Sequence, residues 1–232
     1  MALPKRRYSY RLMIAPELHG PMFWLQQASQ ETLSSLKACI LLKSVGNQAN
    51  IRLQHSYTGK ADIDNAATNA FANRYSNFEQ GNFRAIYGND ETVFEAPPYN
   101  IPCISLTRWP FPQYHTNLDT PDTLSEQHLQ DSVALVEEII EQLEYNRRYK
   151  REFEGLVCLS SYGLYKSIPT VSDSGVDYDS LHGRWNKLMN CLPREIDDKM
   201  SVFDLSEKYN LPAKEIYEYL EQWVAKGLLT GD

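Results

Sequence analysis

Three short segments carry residue types that hydrolytic enzymes use, and each follows a run that predicts a β-strand. The first is APELHGP (15–21), with Glu17 and His19; the second, YGNDETVFEAPPYNIP (87–102), contains Asp90 and Glu91; the third, RWPFPQYHTNLDTPD (108–122), holds Arg108, Tyr114, His115 and Asp119. A carboxylate at the carboxyl end of a strand is where α/β domains place ligands and catalytic groups. A histidine supported by a carboxylate is typical of a metal ligand or a general base.

Each segment also has a plainer interpretation, which the residues alone leave open. Glu17 could lie in a turn at the start of a helix, where a carboxylate favours the helix dipole. The Asn-Asp pair at 89–90 is an ordinary turn signal. A single loop histidine such as His115 is often only exposed to solvent.

The elements that would position these residues alternate along the first 152 residues. Strands are predicted over 10–15, 37–45, 50–57, 83–88 and 101–108, with helices over 23–36 and 62–75. A third helix begins near Ser125 and carries an apolar stripe at Leu129, Val133, Val136, Ile140 and Leu143, with the basic run NRRYKR (146–151) as its solvated end. Strands interleaved with helices predict an α/β domain with a mixed, mostly parallel sheet and flanking helices.

The C-terminal part has a different pattern. Residues 153–193 are rich in Ser, Gly and Tyr and predict a linker or covering segment. Residues 194–232 predict two helices around an Asn210-Leu211-Pro212 turn, a stop at Gly227 and a short strand, as in a small winged-helix domain. Residues 201–232 contain six acidic residues and three lysines. Because phosphates would repel this surface, a protein contact is favoured over DNA binding.

Charge and cysteine content set outer limits on function. The net charge of -7 argues against a broad nucleic-acid surface, because that binding depends on neutralising phosphates with Lys and Arg. Four scattered cysteines without a C-x-x-C pair predict reduced thiols and a cytoplasmic protein. The N-terminal residues predict neither a signal peptide nor a membrane span.

Taken in order, the segments PELHGP, GNDETVF, NIPCISL and YHTNLDTPD resemble the C-terminal half of the zinc aminopeptidase-like exopeptidases. The resemblance is strongest to a bacterial aminopeptidase-like subfamily that ends in a winged helix, which GLYKSIP (163–169) and the C-terminal unit also fit. It implies that His115 is a zinc ligand and that Glu17 is the general base on a zinc-bound water, or a ligand itself. Asp119 would orient the loop, and the substrate would contact Asp90, Glu91, Arg108 and Tyr114.

The sequence also departs from this family. The family's first histidine and bridging aspartate precede the strand that leads to Glu17, and neither motif occurs in this sequence. Where relatives carry a further carboxylate ligand, this chain has Lys43 or Ser44. We therefore expect a zinc-dependent exopeptidase of peptides or peptide-like conjugates whose site is completed by a partner chain, an oligomer or another region. The alternative is a non-catalytic module that keeps the scaffold and uses its acidic winged helix to bind protein partners.

Overall fold

The computed structural model describes residues 6–166 and 177–232, and it divides into two compact units. Unit 1 comprises residues 1–143 and unit 2 comprises residues 144–232. The domain limits at 152 and 193 stay a prediction. In the described ranges, no helix is long and apolar enough to cross a membrane.

Unit 1 is built on a four-stranded sheet, with strands β1 Cys39–Lys43, β2 Ile51–Gln54, β3 Gln80–Gly81 and β4 Cys103–Arg108. The strand order is β1-β4-β2-β3. β4 runs parallel to β1 and antiparallel to β2, while β3 runs parallel to β2. The predicted α/β architecture with a mixed sheet is confirmed. Every residue of β4 is buried, because the strand lies between two neighbours beneath the helices.

Helices flank this sheet: α1 His19–Gln27, α2 Gln30–Ser35, α3 Asp62–Arg74, α4 Glu91–Glu95 and α5 Glu126–Tyr145, with a 3-10 turn at Pro121–Thr123. The predicted helix 23–36 is two helices, because Ser29 caps α2 by accepting a hydrogen bond from the Thr32 N–H at 3.1 Å. Ser125 precedes α5 and accepts from the His128 N–H at 3.3 Å. This serine therefore caps α5, as the sequence indicates.

Two predicted strands of unit 1 are wrong. Residues 10–15 belong to no strand, and Leu12 and Ile14 are 82% and 90% exposed. Residues 83–88 form turns, because the Gln54 side-chain oxygen accepts the N–H groups of Ile86 and Tyr87, both at 3.1 Å. A side chain of β2 thus supplies the acceptor that a neighbouring strand would have supplied.

Unit 2 contains helices α6 Leu159–Tyr162, α7 Leu181–Glu195, α8 Val202–Tyr209 and α9 Ala213–Ala225, and strands β5 Tyr149–Arg151 and β6 Leu229–Gly231. β5 and β6 pair antiparallel. Most of the run NRRYKR therefore forms an isolated bridge at Arg148 and strand β5, and its interpretation as a solvated helix end is wrong. Trp223, Tyr219 and Leu188 are almost fully buried and form the centre of this unit.

The helix pair of unit 2 follows its predicted pattern. α8 begins with a capping box in which Ser201 and Asp204 each accept from the other's backbone N–H. Asn210 takes a left-handed conformation, and Gly227 ends the second helix at φ +69°. Helix α7 lies across the end of the predicted linker 153–193 and was not anticipated. Residues 167–169 of GLYKSIP lie outside the described residues.

Candidate active site

A cluster of polar side chains lies at the carboxyl end of the parallel pair β1 and β4. It consists of Glu17, Lys43, Tyr87, Asn89 and Tyr114, and it is called the Lys43 cluster below. Lys43 is the last residue of β1, and the other members come from loops separated from it in sequence. In open α/β sheets, this edge is where ligands bind.

Lys43 is the centre of the cluster. Its Nζ donates hydrogen bonds to Glu17 Oε1 at 3.0 Å, to the Tyr87 hydroxyl at 3.1 Å and to the Tyr114 hydroxyl at 3.0 Å. Asn89 Nδ2 also donates to Glu17 Oε1, and the two tyrosine hydroxyls hydrogen-bond to each other. The Lys43 side chain is 17% exposed, whereas that of Glu17 is 50% exposed. The cation is therefore enclosed, and the carboxylate faces solvent.

The electrostatics of the cluster keep Lys43 and Glu17 charged. Burial lowers the pKa of Lys43, but the hydrogen bonds to Tyr114, Tyr87 and Glu17 outweigh it and raise that pKa. The hydrogen bond from Lys43 lowers the pKa of Glu17, with smaller contributions from Asn89 and from the charge of His115. Burial raises the pKa of Tyr114. At neutral pH the cluster thus presents an ion pair beside the neutral phenol of Tyr114.

Counting hydrogen-bonding groups shows what the cluster can still bind. The three protons of the Lys43 ammonium have three acceptors. One of the two phenol protons is used between Tyr87 and Tyr114, which leaves the other to be donated. Within the part of the chain that the structure describes, Glu17 Oε2 has no hydrogen-bond partner. The cluster therefore presents one anionic acceptor beside one phenolic donor.

Three residues next to members of the cluster have left-handed backbone conformations. Leu18 follows Glu17 with φ +58°, Ser44 follows Lys43 with φ +52°, and His115 follows Tyr114 with φ +59°. A non-glycine residue in this region is strained, and such residues concentrate at functional sites. The backbone turns sharply at each of the three points where the chain delivers a side chain to the cluster.

The loop that carries Tyr87 and Asn89 is held by hydrogen bonds to two buried side chains, Glu91 and Gln54. Glu91 is fully buried, and its Oε2 accepts from the Asn89 N–H at 2.7 Å. Its Oε1 is 3.4 Å from Gln54 Nε2, and the Gln54 oxygen accepts the N–H groups that precede Asn89. Burial raises the pKa of Glu91. Glu91 thus supports the loop from beneath, whereas the sequence analysis placed it at a substrate pocket.

The other predicted site residues divide between the cluster and its surroundings. Tyr114 belongs to the cluster, and the exposed His115 stacks on its ring at a centroid distance of 3.8 Å. Asp90 Oδ1 accepts from the Leu18 N–H at 2.7 Å, which joins the Asn89 loop to the Glu17 segment. The side chain of Asp119 is exposed and makes no hydrogen bond to the described residues.

Arg108 has a structural position. It is 5% exposed, and its guanidinium donates to three backbone carbonyls, those of Val45 at 2.8 Å, Ala49 at 2.9 Å and His128 at 3.2 Å. Burial lowers the pKa of Arg108. Each guanidinium nitrogen thus donates to one carbonyl, and this arginine ties the β1–β2 loop to α5; its contact with a substrate stays a prediction.

The donor set of the described residues does not fit zinc. Of the two ligands implied by the resemblance, Glu17 is paired with the Lys43 ammonium at 3.0 Å, and His115 stacks on the Tyr114 ring. Within residues 6–166 and 177–232, no group of three His, Cys, Asp or Glu side chains could hold a metal ion. Zinc sites in enzymes use three protein ligands and an open position. The ammonium of Lys43 compensates the negative charge of Glu17, a role that a metal ion would fill in a metal site.

Sequence reasoning missed Tyr87 and Asn89 and treated Lys43 only as a departure from the family. The signals were present, because Lys43 and Tyr87 lie near the ends of predicted strands and Asn89 follows the second of them. What was missing was their proximity, since the partners of Lys43 lie 26, 44 and 71 residues away along the chain.

Comparisons with known proteins found relatives whose names refer to aminopeptidase-like domains and peptidases. The chain is 28% identical over 219 residues to a Clostridium acetobutylicum protein named "Putative polysaccharide biosynthesis protein with aminopeptidase-like domain", covering 91% of this chain and 47% of that protein. A crystal structure of a "putative peptidase" from Clostridium acetobutylicum is 23% identical with a TM-score of 0.73, covering 98% of this chain and 49% of that one. The chain therefore spans about half the length of these relatives and shares the fold of that half.

A more distant structure is that of an aminopeptidase from Aneurinibacillus sp. strain AM-1. It is 22% identical with a TM-score of 0.44, covering 55% of this chain and 30% of that one. A protein-family model described as "Domain of unknown function (DUF4910)" matches residues 1–146, which include every member of the Lys43 cluster. Because this match extends over more than half of the sequence, the chain belongs to the DUF4910 family.

Proposed function

We propose that the protein is an aminopeptidase-like hydrolase of terminal amide bonds in peptides or peptide-like conjugates, and that the Lys43 cluster binds the amino end of the substrate. The relative with an aminopeptidase-like domain supports the class of activity. The observation that carries the proposal is the pairing of a free Glu17 oxygen with a free phenol proton at the carboxyl end of β1 and β4.

The free terminus of a peptide matches these two groups. Its ammonium is a cationic donor, which the ionised Glu17 carboxylate can accept in a charge-assisted hydrogen bond. The neighbouring carbonyl oxygen is an acceptor, which the phenol proton of the Tyr87–Tyr114 pair can reach. A peptide whose terminus is acetylated offers no ammonium and leaves Glu17 without a partner.

The lowered pKa of Glu17 also bears on its predicted role. A general base is most effective when its pKa is near the working pH, and the hydrogen bond from Lys43 moves the pKa of Glu17 away from neutrality. Glu17 is therefore better suited to hold an ammonium than to take a proton from water. Zinc dependence stays a prediction of the family resemblance.

The test compares binding and hydrolysis in the full chain. Binding of L-leucinamide and of N-acetyl-L-leucinamide is measured by calorimetry, and hydrolysis of L-leucine p-nitroanilide is followed with and without added zinc. We expect L-leucinamide to bind at least about tenfold more tightly, since a charge-assisted hydrogen bond contributes about 1.5–3 kcal/mol. Glu17→Gln is expected to remove this preference, and Glu31→Gln, an exposed carboxylate on α2, is the matched control.

The outcomes separate the two parts of the proposal. Equal binding of both amides, or binding that survives Glu17→Gln, would refute the role of the cluster. Selective binding with no hydrolysis under any metal condition would refute the hydrolase and favour the non-catalytic module.

For unit 2 we propose a winged-helix domain that does not bind DNA. Two successive helices followed by an antiparallel strand pair with β5 support the winged-helix assignment. Helix α9 carries Glu215, Glu218 and Glu221, which would repel phosphates. A short DNA duplex, tested beside the small anions described below, is expected to show no binding.

A further inference from the structure

Unit 2 contains a cavity of about 310 Å³ that the proposed function does not use. Its lining residues lie between α7, the segment that precedes it and the end of α8: Tyr178, Asp179, Arg184, Lys187, Lys208, Tyr209 and Asn210. This volume corresponds to roughly ten water molecules at about 30 Å³ each, and it lies at the lower end of the range for small-molecule sites. It is large enough for a ligand the size of a phosphorylated monosaccharide.

The sequence determines how this cavity is walled. Ser180 caps α7 by accepting from the Gly183 N–H at 3.1 Å. A Cβ added to Gly183 would lie 2.0 Å from the Asp177 carbonyl oxygen and 2.6 Å from Tyr178 Cα. Only glycine therefore allows the segment before α7 to pass so close over the helix, and this approach places Tyr178 and Asp179 at the cavity.

Two cations of the cavity have no acidic partner among the described residues. Arg184 and Lys187 lie three residues apart on α7, so they share one face of the helix. Within the described residues neither side chain forms a hydrogen bond or an ion pair, and Arg184 Nε is a buried donor without an acceptor. Buried donors are usually satisfied, so an acceptor bound beside Arg184 and Lys187 would complete the hydrogen bonding of this N–H and compensate both charges.

The third cation is already neutralised. Lys208 Nζ donates to both oxygens of Glu195, at 2.9 and 2.7 Å, and the Tyr209 hydroxyl donates to the same carboxylate at 2.7 Å. Glu195 is buried, which makes this group a fixed wall of the cavity. The charges that remain are those of Arg184 and Lys187 against the single carboxylate of Asp179.

The polar groups match an anion that also carries hydroxyls. A phosphate monoester has several oxygens for the guanidinium of Arg184 and the ammonium of Lys187. The Asp179 carboxylate would repel a bare anion, but it accepts hydrogen bonds from hydroxyls, and the exposed Asn210 amide can both donate and accept. The chain as a whole carries a net charge of -7 and would repel an anion, so anion binding here would depend on the local charges of Arg184 and Lys187.

We propose that this cavity is a binding site for a sugar phosphate, with Arg184 and Lys187 holding the phosphate and Asp179 and Asn210 holding the sugar hydroxyls. The site is independent of the Lys43 cluster, which belongs to the other unit. Failure of either proposal therefore leaves the other standing.

The test is calorimetric titration of the full chain with four probes: inorganic phosphate, glucose 1-phosphate, glucose and a short DNA duplex. We expect glucose 1-phosphate to bind most tightly and inorganic phosphate more weakly. Lys187→Gln and Arg184→Gln should each weaken glucose 1-phosphate binding about tenfold, the effect of losing one charge-assisted hydrogen bond. Lys226→Gln, an exposed lysine just after α9, is the control and should have no effect.

A second variant tests the role of the sugar. Asp179→Asn should strengthen the binding of inorganic phosphate, because it removes a negative charge. It should therefore reduce the ratio between the affinity for glucose 1-phosphate and the affinity for inorganic phosphate. Thermal unfolding of each variant checks that unit 2 remains folded. The proposal would be overturned if the wild type showed no saturable binding of glucose 1-phosphate, or if it bound the DNA duplex more tightly than glucose 1-phosphate. It would also be overturned if Lys187→Gln and Arg184→Gln bound glucose 1-phosphate as tightly as Lys226→Gln.

Discussion

Replacement of Lys43 by methionine tests whether this residue takes the place of a metal cation. A zinc ion bound to Glu17 Oε1 would lie about 2 Å from that oxygen. That oxygen is 3.0 Å from Lys43 Nζ. The ammonium and the zinc would therefore be at most about 5 Å apart.

The repulsion follows from this distance. Charges of +1 and +2 separated by about 5 Å repel by roughly 1.7 kcal/mol even at the dielectric constant of water, and by more in a partly enclosed site. Such a repulsion weakens zinc binding by a factor of about 15 or more. Methionine has a similar length and no charge, so Lys43→Met should strengthen zinc binding at Glu17 by at least that factor. The two tyrosines can keep their mutual hydrogen bond.

The assay is calorimetric titration with zinc of the wild type, Lys43→Met and the double variant Lys43→Met with Glu17→Gln. The double variant identifies the part of the binding that depends on Glu17, since other histidines and cysteines bind zinc weakly. Lys60→Met, an exposed lysine in the loop before α3, is the control for charge alone. Wild-type protein that binds zinc through Glu17 as tightly as Lys43→Met would refute the reasoning.

Two further predictions concern other groups of the chain. The buried Asp64 accepts hydrogen bonds from the Ser56 N–H at 2.8 Å, from the Ser56 hydroxyl and from His55 at 3.2 Å. The first prediction is that Asp64→Ala lowers the free energy of unfolding, measured in urea, by about 3 kcal/mol, because two buried donors of Ser56 lose their acceptor. The exposed Asn65→Ala is the control, and a loss below about 1 kcal/mol for Asp64→Ala would contradict this. Burial raises the pKa of Asp64, but the hydrogen bonds from His55 and Ser56 outweigh it and lower that pKa, while the hydrogen bond to Asp64 raises the pKa of His55. The contribution of ionised Asp64 to folding stability is complete above the pKa of this group in the unfolded chain, and it is lost as the pH falls through the lowered pKa of the folded state. The contribution of protonated His55 is complete below its unfolded pKa and is lost as the pH rises through its raised folded pKa. The stability difference between wild type and Asp64→Asn should therefore be largest between about pH 4 and 6.5. The second prediction is that the rate at which iodoacetamide alkylates the exposed Cys158 rises with pH with a midpoint near pH 7, because hydrogen bonds with Ser160 and Ser161 lower the pKa of its thiol to about 7. The rate is measured by mass spectrometry of the folded chain, with the buried Cys103 as the unreactive control. A midpoint near the ordinary thiol pKa of about 8.5 would contradict the prediction.

The elements that local patterns describe were predictable. β1, β2 and β4 follow from short apolar runs, and α5 follows from its apolar stripe and its Ser125 cap. These features depend on neighbours within a few residues, which is the range over which a sequence pattern acts. The strand predicted over 83–88 failed for the opposite reason, because Gln54, about 30 residues earlier, accepts its N–H groups.

The candidate site was predictable only in part. The sequence indicated that Glu17, Tyr114 and His115 follow apolar runs, and that Lys43 lies near the end of a strand. Packing of the folded chain brings Lys43 to Tyr114, 71 residues away, because β1 pairs in parallel with β4, and it also places Glu17 beside the same ammonium. It also decided that Arg108 is enclosed by backbone carbonyls. Hydrophobic periodicity specifies which face of an element is buried, whereas the distances between polar groups of different elements depend on how those elements pack.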